Sequence, residues 1–123
     1  VGEYLKSQNP KVQVVAVEPF DSQVLGKGTA GSHGIQGIGA GFVPKALNPN
    51  IYDEIIAVQT QDAYDAGRAL ARREGILVGI SAGAAVWAAA QLARRPENRG
   101  KMIVVLLPDT GDRYLSTPMF DQP

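Results

Sequence analysis

Ser81 stands between an apolar run, Ile76-Leu77-Val78, and an alanine-rich segment. A serine in that place can cap a helix by accepting the N–H of Gly83 or Ala84. Its hydroxyl has one donor and two lone pairs, so it can also donate to a ligand. Helix N-termini favour anions as well. A second candidate is His33-Gly34-Ile35-Gln36-Gly37-Ile38-Gly39-Ala40-Gly41-Phe42. Its alternate glycines let backbone approach a ligand or adopt positive φ, and equally suit a tight turn. Gln36 can hydrogen-bond at a pocket mouth or sit in solvent. His33 has the chemistry of a general base, yet no Ser or Cys nucleophile with an acidic orienter stands near it. Pro108-Asp109-Thr110-Gly111-Asp112 follows the last apolar run and reads as a turn. Glu18, after another such run, is either catalytic or a cap near a sheet edge.

Gly26-Lys27-Gly28-Thr29-Ala30-Gly31 matches G-x-G-x-x-G. A dinucleotide fingerprint follows a strand directly and opens a helix. Pro19 and Asp21 separate this one from the preceding run, and the four glycines of Ser32–Gly41 oppose a helix after it. No NAD site is expected.

These residues need elements to hold them. Val1, Tyr4 and Leu5 have helical spacing, so the sequence predicts a helix over 1–8 that ends at Asn9-Pro10. Continuous apolar runs predict four buried strands: Val12–Val17, Glu54–Val58, Ile76–Val78 and Met102–Leu107. Residues 19–50 hold ten glycines and prolines and no periodicity, a long loop of the kind that is usually functional. Ala63, Ala66 and Leu70 mark a helix from Thr60, its expected N-cap, to about Arg73, with Gly75 beyond it. A helix of small residues spans Ala84–Ala93, capped by Ser81 and closed before Pro96. Residues 113–123 read as a tail. Unbroken apolar strands alternating with helices signify an α/β fold with a parallel sheet covered on both faces. Ligands then bind beyond the carboxyl ends of the strands, after Val17, Val58, Val78 and Leu107.

Composition excludes several functions. Twelve basic residues balance twelve acidic ones across 123 residues, which argues against a nucleic-acid surface. The absence of cysteine removes disulfides and thiolate metal sites, and a single histidine removes a His-rich metal site. No apolar run is long enough to span a membrane, and no signal peptide is evident. The chain opens on Val1 already inside a helical pattern, so it reads as a piece of a longer polypeptide.

Five segments carry a resemblance: Val15–Pro19, His33–Phe42, Glu74–Ser81, Arg95-Pro96-Glu97-Asn98 and Gly111-Asp112-Arg113-Tyr114-Leu115-Ser116-Thr117. In this order and spacing they resemble the C-terminal part of cysteine synthase (O-acetylserine sulfhydrylase, A type). That is a fold type II, tryptophan synthase β-like, pyridoxal-phosphate enzyme. The resemblance implies that residues 1–123 form the C-terminal part of the large cofactor-binding domain. The small domain and the cofactor-bearing lysine lie upstream, so no catalytic residue falls on this chain and none of its lysines stands in that motif. Ser81 is implied to bond the pyridine nitrogen, Gly37 to lie close to the cofactor, and Pro108 to be packed by the ring. Gln36 and Phe42 are implied to line the substrate entrance. The implied cofactor is pyridoxal 5'-phosphate and no metal.

The implied reaction replaces the acetoxy group of O-acetylserine by sulfide, giving cysteine and acetate. A related β-replacement enzyme such as cystathionine β-synthase, or a fragment that only binds, is the alternative. Implied partners are the companion N-terminal part, a second copy in a homodimer, and the C-terminal tail of serine acetyltransferase. The implied location is cytoplasmic. Three positions depart from the family pattern: Ala82 replaces a second serine, Gly34 a lysine and Ser32 a proline. The last two put loop rigidity and partner binding in doubt more than the chemistry.

Overall fold

The computed structural model describes residues 1–121. In chain order the elements are helix α1 (Gly2–Gln8), strand β1 (Val15–Pro19), helix α2 (Val24–Lys27), strand β2 (Glu54–Val58), helix α3 (Thr60–Glu74) and helix α4 (Ile80–Arg94). Short 3-10 turns follow at Pro96–Asn98 and Gly111–Tyr114.

β1 and β2 pair in parallel, from Val15 opposite Glu54 to Pro19 opposite Val58. The expected strand over Val12–Val17 therefore begins and ends later. The cause is Asp53, whose N–H donates to Val14 O at 2.7 Å. Its carboxylate accepts the N–H of Val14 and the Lys6 ammonium, each at 2.7 Å. A side chain thus takes the place of the ladder just before β1. The Lys6 hydrogen bond holds the Asp53 carboxyl below its usual range, with help from the Val14 N–H.

α3 runs as the periodicity predicts, but Gln59 is its N-cap and Thr60 its first helical residue. Gly75 ends it in the left-handed region, at φ 70°. α4 starts at Ile80, four residues earlier than expected, with Gly79 as N-cap and Ser81 inside the first turn. Ser81 is therefore not the cap that the sequence suggests.

α3 and α4 pack through small residues. A Cβ on Gly83 would collide with Ala63 O, and one on Gly67 with Met119 Cε. The core gathers Val58 of β2, Ala63 of α3, and Ile80, Ala84 and Ala88 of α4 around Ile35, Tyr114 and Met119. Residues 113–121 are thus no free tail, since Tyr114 and Met119 are buried in that core. Residues 122–123 of the expected tail lie outside the described residues.

Two of the four expected strands do not form. Ile76–Val78 contributes only an isolated antiparallel bridge, Val78 to Thr110. Met102–Leu107 joins no ladder among the described residues, and Met102, Val104 and Leu106 are 90%, 86% and 80% exposed. A strand closes its hydrogen bonds only on a neighbour, and none is described beside it. No helix among the described residues is long and apolar enough to cross a membrane.

Candidate functional site

The His33–Phe42 loop is built around its histidine. Nδ1 accepts the N–H of Ile35 at 3.1 Å. Nε2, which then carries the proton, donates to Gly39 O at 2.9 Å. Both ring nitrogens are spent on the loop, so His33 holds backbone and is no free base. Ile35 is fully buried and anchors the loop in the core. Gly34 lies against α3, where a Cβ would press to 2.7 Å from Thr60 Cγ2.

Gly37 has φ 102°, a region that favours glycine. A Cβ there would sit 3.4 Å from Ser81 Oγ. The loop and the first turn of α4 therefore face each other. Gln36 flanks Gly37 and is exposed, and Phe42 is 63% exposed. Their exposure suits an entrance.

A third segment closes over the start of α4. Gly79 N–H donates to Asp109 O, and Gly111 N–H to Leu77 O, each at 3.3 Å. Pro108 lies on this strap and is exposed. Asp109 Oδ2 accepts the Tyr114 hydroxyl at 2.6 Å. That bond, with burial, pushes the Tyr114 phenol above its ordinary value. Asp109 Oδ1 is buried without a partner among the described residues. The Asp109–Tyr114 pair was not legible in the sequence beyond the turn it forms.

Glu18 is committed elsewhere. Its carboxylate accepts the N–H groups of Leu25 and Gly26, each at 2.9 Å, at the start of α2. This is the capping role that the sequence offers for it. Gly26–Gly31 belongs to α2 and the turn after it, with Gly28 at φ 69°. That four-residue helix is not the helix a dinucleotide fingerprint opens.

Ser81 is 9% exposed. The first internal bond of α4 is Gly83 N–H to Gly79 O at 3.0 Å, so the N–H groups of Ile80, Ser81 and Ala82 have no acceptor within the helix. A donor hydroxyl on a buried serine, facing a positive-φ glycine, suits a flat heteroaromatic ring bearing an acceptor nitrogen. Among the described residues no cluster could hold a metal ion. A groove of about 400 Å³ between α3 and α4, lined by Leu70, Trp87 and Arg94, includes none of these site residues.

A family model described as pyridoxal-phosphate dependent enzyme matches residues 1–109. A cysteine synthase of Staphylococcus aureus is 49% identical over 120 residues, 98% of this chain and 38% of that protein. The structure of O-acetylserine sulfhydrylase isoform 3 from Entamoeba histolytica superposes with a TM-score of 0.97 at 49% identity, covering 100% of this chain and 37% of the other. An O-ureido-L-serine synthase superposes with a TM-score of 0.92 at 43% identity, covering 98% and 38%. The chain thus spans about 38% of the length of the curated relatives it matches.

Proposed function

This chain belongs to the pyridoxal-phosphate-dependent enzyme family, and from that premise we propose that it is the C-terminal part of the large domain of a cysteine synthase. The proposed enzyme takes O-acetylserine and sulfide to cysteine and acetate. The observation that carries this reading is the pairing of Ser81 with Gly37: the hydroxyl of a buried serine facing a positive-φ glycine, in a chain 49% identical over 120 residues to a cysteine synthase.

When bound, pyridoxal phosphate draws electrons from the substrate α-carbon, which eases loss of its proton and of a leaving group on the β-carbon. Ser81 would hold the pyridine nitrogen through its hydroxyl. A hydroxyl donates a hydrogen bond without adding charge, so it does not force that nitrogen to be protonated as a carboxylate partner would. This favours elimination and replacement at the β-carbon over transamination. Gly37 leaves room for the ring beside Ser81, Pro108 packs against it, and Gln36 and Phe42 flank the way in. The cofactor-bearing lysine and the substrate-carboxylate contacts are proposed for the companion N-terminal part. A homodimer, docking of a serine acetyltransferase tail at the same entrance, and a cytoplasmic location complete the reading.

The likeness to O-ureido-L-serine synthase favours a second reading, a β-replacement enzyme with another substrate pair. The complete enzyme decides between them. Cysteine formed from O-acetylserine and sulfide faster than any product of competing nucleophiles supports the first reading. Preference for another nucleophile overturns it. Replacing Ser81 by Ala is expected to weaken cofactor binding by about tenfold, the weight of one buried hydrogen bond, and to slow turnover. Unchanged affinity, measured by fluorescence titration, would remove Ser81 from the site.

A further inference from the structure

His33 is the single histidine of the chain, and the proposed function gives it no task. Its ring nevertheless ties down a backbone group on either side of Gly37. Nδ1 accepts the Ile35 N–H at 3.1 Å, and Nε2 meets Gly39 O at 2.9 Å. An amide N–H only donates and a carbonyl only accepts. Both contacts are therefore hydrogen bonds in one ring state alone, neutral with the proton on Nε2. Each end of this span is held a second time. Ile35 is fully buried and shares the core with Ile80, the neighbour of Ser81. Gly39 is seated between the imidazole and the end of β1: a Cβ there would lie 2.6 Å from both His33 Nε2 and Pro19 Cγ. Gly37 stands midway between the two held residues, where a Cβ would sit 3.4 Å from Ser81 Oγ.

We infer that His33 is a positioning residue for the Gly37 backbone: in its Nε2-protonated neutral form it braces the loop from Ile35 to Gly39 and so sets the gap opposite Ser81. A brace is needed there. Gly37, Gly39 and Gly41 all have positive φ, and residues 36–41 form neither helix nor strand. Glycine has the most backbone freedom to lose, so such a stretch keeps one shape only when something outside it imposes that shape. The imidazole is rigid, and its two nitrogens stand at a fixed separation, so it holds Ile35 N and Gly39 O in fixed relation to each other. Without it, a flat ligand would have to order the loop on binding, at a cost in affinity. That the gap receives pyridoxal phosphate rests on the proposed function above. That the ring braces Gly37 does not.

The test uses the complete enzyme as parent, His33→Phe and His33→Gln. Phe keeps a flat ring and loses both bonds, whereas Gln keeps an acceptor and a donor on one planar amide. The first readout is the nitrogen-15 spectrum of the parent's imidazole at neutral pH, without cofactor. A proton on Nε2 and none on Nδ1 is expected, and a proton on Nδ1 overturns the inference. The others are amide hydrogen exchange in the cofactor-free protein and the dissociation constant of pyridoxal phosphate. His33→Phe is expected to speed exchange at Ile35 by about tenfold, the size of one hydrogen bond, and to weaken the cofactor by a similar factor. Exchange at Ala63 and Ala84 should stay as in the parent. His33→Gln is expected to bring both quantities back to within about threefold of the parent. Faster exchange at Ile35 with unchanged cofactor affinity overturns the positioning role. So does a Gln variant as impaired as the Phe variant, or exchange that accelerates equally at Ala63 and Ala84. A parent that binds no pyridoxal phosphate, or binds it without turning over O-acetylserine, sinks the proposed function, while the imidazole spectrum and Ile35 exchange still decide for or against the brace.

Discussion

The α3–α4 pair and the segment Met102–Leu107 are equally apolar in intent and opposite in outcome. The helices close their hydrogen bonds internally and bury Ala63, Ala84 and Ala88 against one another. The Met102–Leu107 segment must borrow its hydrogen bonds, and alternate side chains along it stand in solvent. The difference shows which segments of the chain can form from their own residues. A helical hairpin carries its own reason to form, whereas a strand is half of an interaction.

Hydrogen exchange of the 123-residue chain gives the largest expected contrast. Amides of Ala84–Ala88 should be protected by about a thousandfold or more relative to those of Met102–Leu107. Comparable protection in both would mean that the segment finds a partner and would break the comparison. Next comes the close packing of the hairpin. Gly83→Leu would drive a side chain into the Ala63 carbonyl and should cost about 3 kcal/mol, read by denaturant unfolding. A cost near zero would show that the helices can separate without penalty. Val104→Lys sharpens the other side. At an 86% exposed position it should change the stability of this chain by no more than about 0.5 kcal/mol. The same change in the complete enzyme should be severe if a neighbouring strand covers the segment.

The smallest effect concerns Glu54 of β2 and Arg95 after α4, joined by a bidentate pair of hydrogen bonds. The hydrogen bonds from Arg95 hold the Glu54 carboxyl below its ordinary value of 4.5. A depressed folded-state value means that the pair stabilises above that ordinary value and that the contribution fades as pH falls through the lowered one. Arg95→Ala should therefore flatten the acid limb of a stability profile below about pH 4.5. Both side chains are more than a third exposed, so solvent screens the pair and the change is modest. An acid limb unchanged in the variant would remove the pair from the account.

The same contrast explains what the sequence made legible. Glu54–Val58 and the helix from Thr60 were readable because their patterns reflect bonds made nearby or burial that this chain supplies. Met102–Leu107 reads as a buried strand because its residues call for burial, but an apolar run does not say where the covering surface comes from. Ser81 was legible as a serine at the start of a helix, and Gly37 as a glycine whose backbone takes positive φ. The contact between Gly79 and Asp109 was not, since it is made through the fold. Met119 was hidden for a similar reason: its place in the core is set by the gap at Gly67, far away in sequence.

The connection between β1 and β2 has a kinetic consequence. Val14 and Asp53, which meet at the mouth of the ladder, are 39 positions apart. Everything from Glu18 to Phe42, the Gly37 cradle included, hangs on that connection. Closing so long a loop costs chain entropy before any strand contact repays it. The α3–α4 hairpin involves only local closure and can assemble first. The cradle opposite Ser81 is therefore expected to be among the last parts of the chain to take shape during folding, with the hydroxyl presented before the surface that faces it.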